Sequence, residues 1–133
     1  MRKLIVDDDP VSLAKLSVLL KKYGECETAL SGREAIEKFK KAHENYMPYT
    51  LITLDIKMPD MDGQEVLEHI HRWELENKIH EIGERAKVIM VTAVDDVDNL
   101  VTAFKKGCGG YLTKPFNAEK LRSALAKIDI REL

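Results

Sequence analysis

The chain is predicted to be a doubly wound α/β protein, a three-layer sandwich with five parallel strands between helices. Two observations carry this: short apolar runs alternate with amphipathic stretches from end to end, and those runs stop on polar residues suited to a shared site. Parallel strands covered on both faces read as continuous apolar runs rather than alternating ones. Leu4-Ile5-Val6 is the first such run, halted by acids. Asp9 is placed to cap the next helix and Pro10 to open it; the helix runs to about Tyr23, with Leu13, Leu16 and Leu20 on one face and Gly24 as its stop. Glu25 to Leu30 is a weaker strand, expected near an edge. Ser31 and Glu34 have capping-box spacing before a helix carrying Ala35, Ile36 and Phe39 and fading near His43.

Tyr49 to Leu54 is the third strand, ending at Asp55. After the loop with Pro59, Asp60, Asp62 and Gly63, a helix is marked by Val66, Leu67, Ile70 and Trp73. Asn77 to Ala86 reads as an extended connection. Lys87 to Val91 is the fourth strand, ending at Thr92. Asp95 or Asp96 caps a helix expected to turn Val97, Leu100, Val101 and Phe104 inward, with Gly107 stopping it. Gly110 to Thr113 is the fifth strand, closed by Lys114-Pro115, and Asn117 caps a last helix with Leu121, Leu125 and Ile128. Phe104 and Phe116 are expected in the core, and Trp73 at a partly exposed flank.

With 133 residues the chain is read as one domain, 1–133, with a core over about 3–128. Its 44% hydrophobic and 33% charged residues describe a globular protein, and a net charge of −2 leaves no basic footprint for nucleic acid. Cys26 and Cys108 have neither metal-ligand nor disulfide spacing and are read as small buried residues of a reducing compartment. No run approaches a membrane span, and the start turns acidic too soon for a signal peptide. The expected location is the cytoplasm, with no direct nucleic-acid or membrane partner.

In an open parallel sheet, sites form beyond the carboxyl ends of the strands. The first strand delivers Asp7 and Asp8 there, the third Asp55, the fourth Thr92 and the fifth Lys114. Each has a bland reading alone: an acidic pair caps a helix, a terminal Asp makes a turn, Lys-Pro marks a bend. Together, three carboxylates repel unless a proton or cation joins them. An all-oxygen donor set points to a hard ion, Mg²⁺ or Mn²⁺. With an ammonium and a hydroxyl added, the set suits phosphoryl transfer to a carboxylate.

Val6-Asp7-Asp8, Leu54 through Gly63, Val91-Thr92-Ala93 and Tyr111 through Phe116 resemble the receiver domain of two-component response regulators, the CheY-like, flavodoxin-like (βα)5 fold. The resemblance runs in order from about residue 3 to residue 128. It implies a sheet in the order 2-1-3-4-5 and Asp55 as acceptor of a phosphoryl group from a histidine kinase or phosphotransfer protein. It further implies Mg²⁺ held by Asp8 and Asp55, by Asp7 partly through water, and by the backbone carbonyl of Lys57. Lys114 would contact the phosphoryl oxygens, and Thr92 and Tyr111 would move on activation. The Lys114–Pro115 peptide would be cis, and the surface of the fourth helix, fifth strand and fifth helix would change.

The resemblance also allows a phosphorylation-dependent dimer. No residues remain after the fifth helix for an output module, so output is expected through contact with a protein target, unless this is a receiver fragment of a larger regulator or hybrid kinase. Lys57 and Val94 occupy positions that tune phosphate lifetime in that family, and both point to slow self-dephosphorylation. Two other classes fit less well. An aspartyl-phosphate phosphohydrolase wants a second acid where Lys57 stands. A flavodoxin-like flavin binder wants a Ser/Thr/Gly-rich phosphate loop after the first strand, where the acidic Asp7-Asp8-Asp9-Pro10 stands. His43, His69, His71 and His80 have no partners at ligand spacing and are read as surface or helix-face residues, and Asp60 and Asp62 as residues that shape the loop.

Overall fold

The computed structural model describes residues 2–79, 85–93 and 95–133. Five strands, β1 (Arg2–Val6), β2 (Glu25–Ala29), β3 (Tyr49–Asp55), β4 (Lys87–Ala93) and β5 (Gly110–Lys114), form one sheet in the order β2-β1-β3-β4-β5, every pair parallel. The helices are α1 (Pro10–Leu20), α2 (Gly32–Glu44), α3 (Gly63–Glu76), α4 (Val97–Lys105) and α5 (Ala118–Ala126). Alternate strand residues point to opposite faces. Leu4, Val6, Ile52, Leu54, Val88 and Met90 accordingly pack beneath α2, α3 and Ala103 of α4. Ile5, Leu51, Ile89, Val91 and Leu112 pack against Leu13, Leu16 and Leu20 of α1 and Leu121 and Leu125 of α5. Each such aliphatic side chain, when fully buried, contributes about 1.5–3 kcal/mol of transfer free energy. The three-layer sandwich and strand order are those expected.

Local chemistry sets the element ends. The Asp9 side chain accepts hydrogen bonds from the Val11 amide and the Ser12 hydroxyl, with Pro10 at the first helical turn. Ser31 accepts from the Glu34 amide at 3.2 Å, while Glu34 reaches back to the Leu30 amide, one residue before the cap. Asp62 and Asn117 cap α3 and α5 in the same way; Asp62 thus shapes the loop, as does Asp60, whose φ is 67°. β2 lies at an edge, and Arg2 of β1 reaches across to Glu27.

Several expectations change. The first helix ends at Leu20, and Lys21–Tyr23 tighten into a 3-10 turn before Gly24, whose φ is 134°. On α4 the inward position belongs to Ala103; Val101 and Phe104 are 49% and 44% exposed, so Phe104 is not a core residue. Phe104 instead meets the Tyr111 ring of β5 edge-on at 6.2 Å. Phe116 is buried and Trp73 half-buried, as expected. Cys108 is buried but Cys26 only half so. His43 is not a free surface residue: its ring packs among Phe39 and Trp73. The half-buried His71 holds the Lys106 carbonyl through Nδ1 at 2.9 Å, tying α3 to the end of α4. Val94 and residues 80–84, which include His80 and half of the expected 77–86 connection, lie outside the described residues.

Candidate functional site

Asp7 follows β1 directly, and its amide is held by the Ala29 carbonyl of β2 at 3.1 Å. Its Oδ1 accepts the Asp9 amide at 2.9 Å, which orients the carboxylate before α1 begins. Asp55 is the last residue of β3; the next amide, Ile56, bonds to Val91 of β4 at 3.1 Å. Gly63 makes this packing feasible. Its amide donates to the Ile56 carbonyl, and a Cβ there would lie 2.5 Å from the Asp55 carbonyl oxygen. Only a residue without a side chain lets α3 start so close to the strand end. Lys114 ends β5, followed by a cis peptide to Pro115.

These strand ends bring the side chains together. Lys114 Nζ lies 3.2 Å from Asp7 Oδ2 and 3.4 Å from Asp55 Oδ2. Asp7, Asp8 and Asp55 each offer a carboxylate oxygen within 4.8 Å of the others. Asp7 and Asp55 are buried and Asp8 is exposed, so the cluster opens to solvent on one side. Burial pushes the Asp55 carboxyl up to about 7; the neighbouring Asp7 carboxylate pushes the same way, and Lys114 opposes both. For Lys114, burial favours the neutral form, but the attraction of Asp55 and Asp7 prevails and holds its pKa above the usual lysine value. One ammonium cannot neutralise three carboxylates. The surplus negative charge and all-oxygen donor set fit a hard divalent cation.

The other expected residues stand around this cluster. Thr92 is buried next to the end of β4, and its hydroxyl donates to the Ala93 carbonyl at 3.3 Å rather than to a site carboxylate. The Lys57 ammonium is turned to Asp96, at 3.7 Å. Tyr111 is 43% exposed, and its ring meets Phe104 edge-on at 6.2 Å. Asp96 sits at the capping position of α4 but makes no capping bond; its carboxylate is taken by Asn99 Nδ2 at 2.9 Å. The adjoining Gln64 is buried and donates to the Asn99 carbonyl, joining the starts of α3 and α4. Neither Gln64 nor Asn99 was singled out from the sequence. A polar residue at a helix start is ordinary there, and only the tertiary pairing gives it a role.

A model of the response regulator receiver domain matches residues 4–126. The chemotaxis protein CheY of Listeria monocytogenes is 32% identical over 127 residues, covering 96% of this chain and 98% of that protein. The transcriptional regulatory protein TrcR of Mycobacterium tuberculosis is 33% identical over 126 residues, and this chain spans 44% of its length. Among solved structures, the CheX–CheY–BeF3–Mg²⁺ complex of Borrelia burgdorferi contains a chain with TM-score 0.81 at 26% identity, covering 98% of this chain and 90% of that one. The complex of the Saccharomyces cerevisiae phosphotransfer protein Ypd1 with the receiver domain of Ssk1 gives TM-score 0.79 at 26% identity, covering 94% of this chain and 86% of that one.

Proposed function

This chain belongs to the response regulator receiver domain family of two-component signalling, and we propose that it acts as a stand-alone switch that accepts a phosphoryl group on Asp55. Receiver domains are signalling switches rather than conventional enzymes. The observation that carries the reading is the Lys114 ammonium lying between the Asp7 and Asp55 carboxylates, at 3.2 and 3.4 Å, at the edge where all three acids converge. An Asp55 oxygen attacks the phosphorus of a phosphohistidine in a histidine kinase or phosphotransfer protein. The O–P bond forms as the P–N bond breaks, and the histidine nitrogen keeps the electron pair. Positioning and charge neutralisation do most of the work in such a transfer.

Asp7, Asp8 and Asp55, with the Lys57 carbonyl, are the residues to hold Mg²⁺ or Mn²⁺, which would supply positive charge against the phosphoryl oxygens. Lys114 supplies the fixed charge on the other side. The new phosphoryl oxygens are acceptors that Thr92 and Lys114 can bind only in the modified state. Thr92 leaves its local bond to Ala93, and the half-exposed Tyr111 turns inward, changing the face of α4, β5 and α5 toward a downstream protein target. A dimer formed through that face on phosphorylation fits the same mechanism.

Near-complete coverage of the Listeria CheY supports the stand-alone reading. The second reading, a receiver within a longer regulator or hybrid kinase, is supported by the 44% and 13% shares of TrcR and of the Escherichia coli kinase BarA that the chain spans. A phosphohydrolase is disfavoured, because Lys57 occupies the second-acid position and its ammonium is turned to Asp96. Among the described residues no helix is long and apolar enough to cross a membrane. The free thiols of Cys26 and Cys108 suit a reducing compartment, so the cytoplasm is the proposed location.

The test is incubation with acetyl phosphate and Mg²⁺ followed by intact-mass measurement. The wild type should gain one phosphoryl group, Asp55→Asn none, and Mg²⁺ with beryllofluoride should bind the wild type only. Undiminished labelling of Asp55→Asn would overturn the assignment. The size of the native protein in its source cells separates a stand-alone switch from a receiver within a longer chain.

A further inference from the structure

At the opposite edge of the sheet, beneath the amino ends of β1, β3 and β4, lies a cavity of about 600 Å³. That volume falls within the range of about 300–1,000 Å³ usual for small-molecule sites. It is separate from the acidic cluster: β3 runs from Tyr49 at the cavity to Asp55, six residues on, or about 20 Å at ~3.3 Å each.

The walls have an unusual charge. Among the described residues, Lys3, Arg85, Lys87 and Arg131 line the cavity, against one acid, Asp129. The strand register explains part of this. Lys3 of β1 pairs with Leu51 of β3, and Leu51 with Lys87 of β4, so both lysines project to one face of the sheet with one strand between them. Among the described residues, none of the four cations has a carboxylate within 4.0 Å.

Lys3 is fully buried, and its ammonium donates to the Thr50 hydroxyl at 3.0 Å. Burial lowers its pKa, favouring the neutral amine. Arg85 spends its Nε on the Ile79 carbonyl and Lys87 one donor on the Ile128 carbonyl, leaving further donors on each. The rest of the wall is largely apolar, with the exposed ring of Tyr46 at the mouth and the buried Tyr49 and Ile130. His43 adds a buried Nε2 atom that has no hydrogen-bond partner among the described residues.

We propose that this cavity binds a small organic anion with an aromatic body, its acidic group held by Arg85, Lys87 and Arg131 beside the buried Lys3 ammonium and its ring against the exposed Tyr46. A buried, unpaired ammonium is costly, and an entering anion relieves that cost. An apolar wall with a few convergent polar groups suits such a ligand better than a polyanion, which needs an exposed basic stripe. The inference does not depend on phosphoryl transfer at Asp55.

Calorimetric titration of the full chain with naphthalene-1-sulfonate, 1-naphthoate and adenosine monophosphate tests it, with naphthalene-1-sulfonamide as the neutral comparison. The three anions compare sulfonate, carboxylate and phosphate as the acidic group. At least one anion should bind saturably at one site with Kd below about 1 mM, at least tenfold tighter than the sulfonamide. The exposed Arg131→Glu and the half-buried Arg85→Glu should each weaken it about tenfold, with the urea midpoint of each variant recorded to confirm folding. Affinity equal for anion and neutral analogue, unchanged by both folded variants, or unmeasurable for all three anions would overturn the proposal.

Discussion

Replacing Asp55 with Asn should stabilise the metal-free protein, by an amount that depends on pH. Asp55 is buried beside Asp7, and its carboxyl titrates near about 7 in the fold, against an ordinary value of 3.8. Between those values the folded state binds more protons than the unfolded state, so stability falls as pH rises through the window. Below it the carboxyl is protonated in both states and carries no penalty. Above it the ionised group destabilises the fold by about 4 kcal/mol at most, from roughly three pH decades at ~1.4 kcal/mol each. Asn removes the charge but keeps the shape. Urea unfolding with chelator at about pH 8 should show the variant more stable by a few kcal/mol, and near pH 4 the gain should vanish. Saturating Mg²⁺ should stabilise the wild type more than the variant, because the cation relieves the same repulsion. A gain that is absent at the higher pH, or equal at both, would refute this account of the acidic cluster.

Three further outcomes follow from particular contacts. Gly63→Ala forces a methyl to 2.5 Å from the Asp55 carbonyl oxygen and 3.0 Å from Ile56 Cα, both backbone atoms, so urea unfolding should show a loss of about 1–3 kcal/mol. Glu74 is buried on α3; its Oε2 accepts the Ala86 amide at 3.0 Å, its Oε1 has no partner among the described residues, and burial raises its pKa. Its ionisation therefore destabilises the fold as pH rises, and Glu74→Gln should be neutral or stabilising at neutral pH while Glu74→Ala costs about 1–3 kcal/mol by leaving the amide unpaired. The long Lys57 side chain, two residues past the acceptor, should shield the acyl phosphate, giving a half-life well beyond seconds after donor removal. Decay within seconds, followed by mass or radiolabel, would contradict that expectation.

Much of the architecture was legible in the chain. Largely apolar runs such as Leu51 to Leu54 suit a strand covered on both faces, and caps such as Asp9, Ser31 and Asn117 act on amides two or three residues away. Asp7, Asp8, Asp55 and Lys114 were legible as site candidates because parallel strands deliver their last residues to one edge, whatever the intervening helices do. The orientation of α4 was not. Val101 and Phe104 read as inward positions, yet Ala103 is the buried one, a choice that the packing of the helix on the sheet makes.

Sequence alone determined the order of elements and the chemical character of the strand ends, because both rest on interactions within a few residues of the chain or on a rule of parallel sheets. Only the tertiary structure decided that Lys114 stands between Asp7 and Asp55, that Gly63 must lack a side chain, and that Lys3 is buried beside Thr50. Those facts depend on strand register and on distances that the fold sets, not the chain. Burial and electrostatic repulsion act through space, and no pattern along the chain records them.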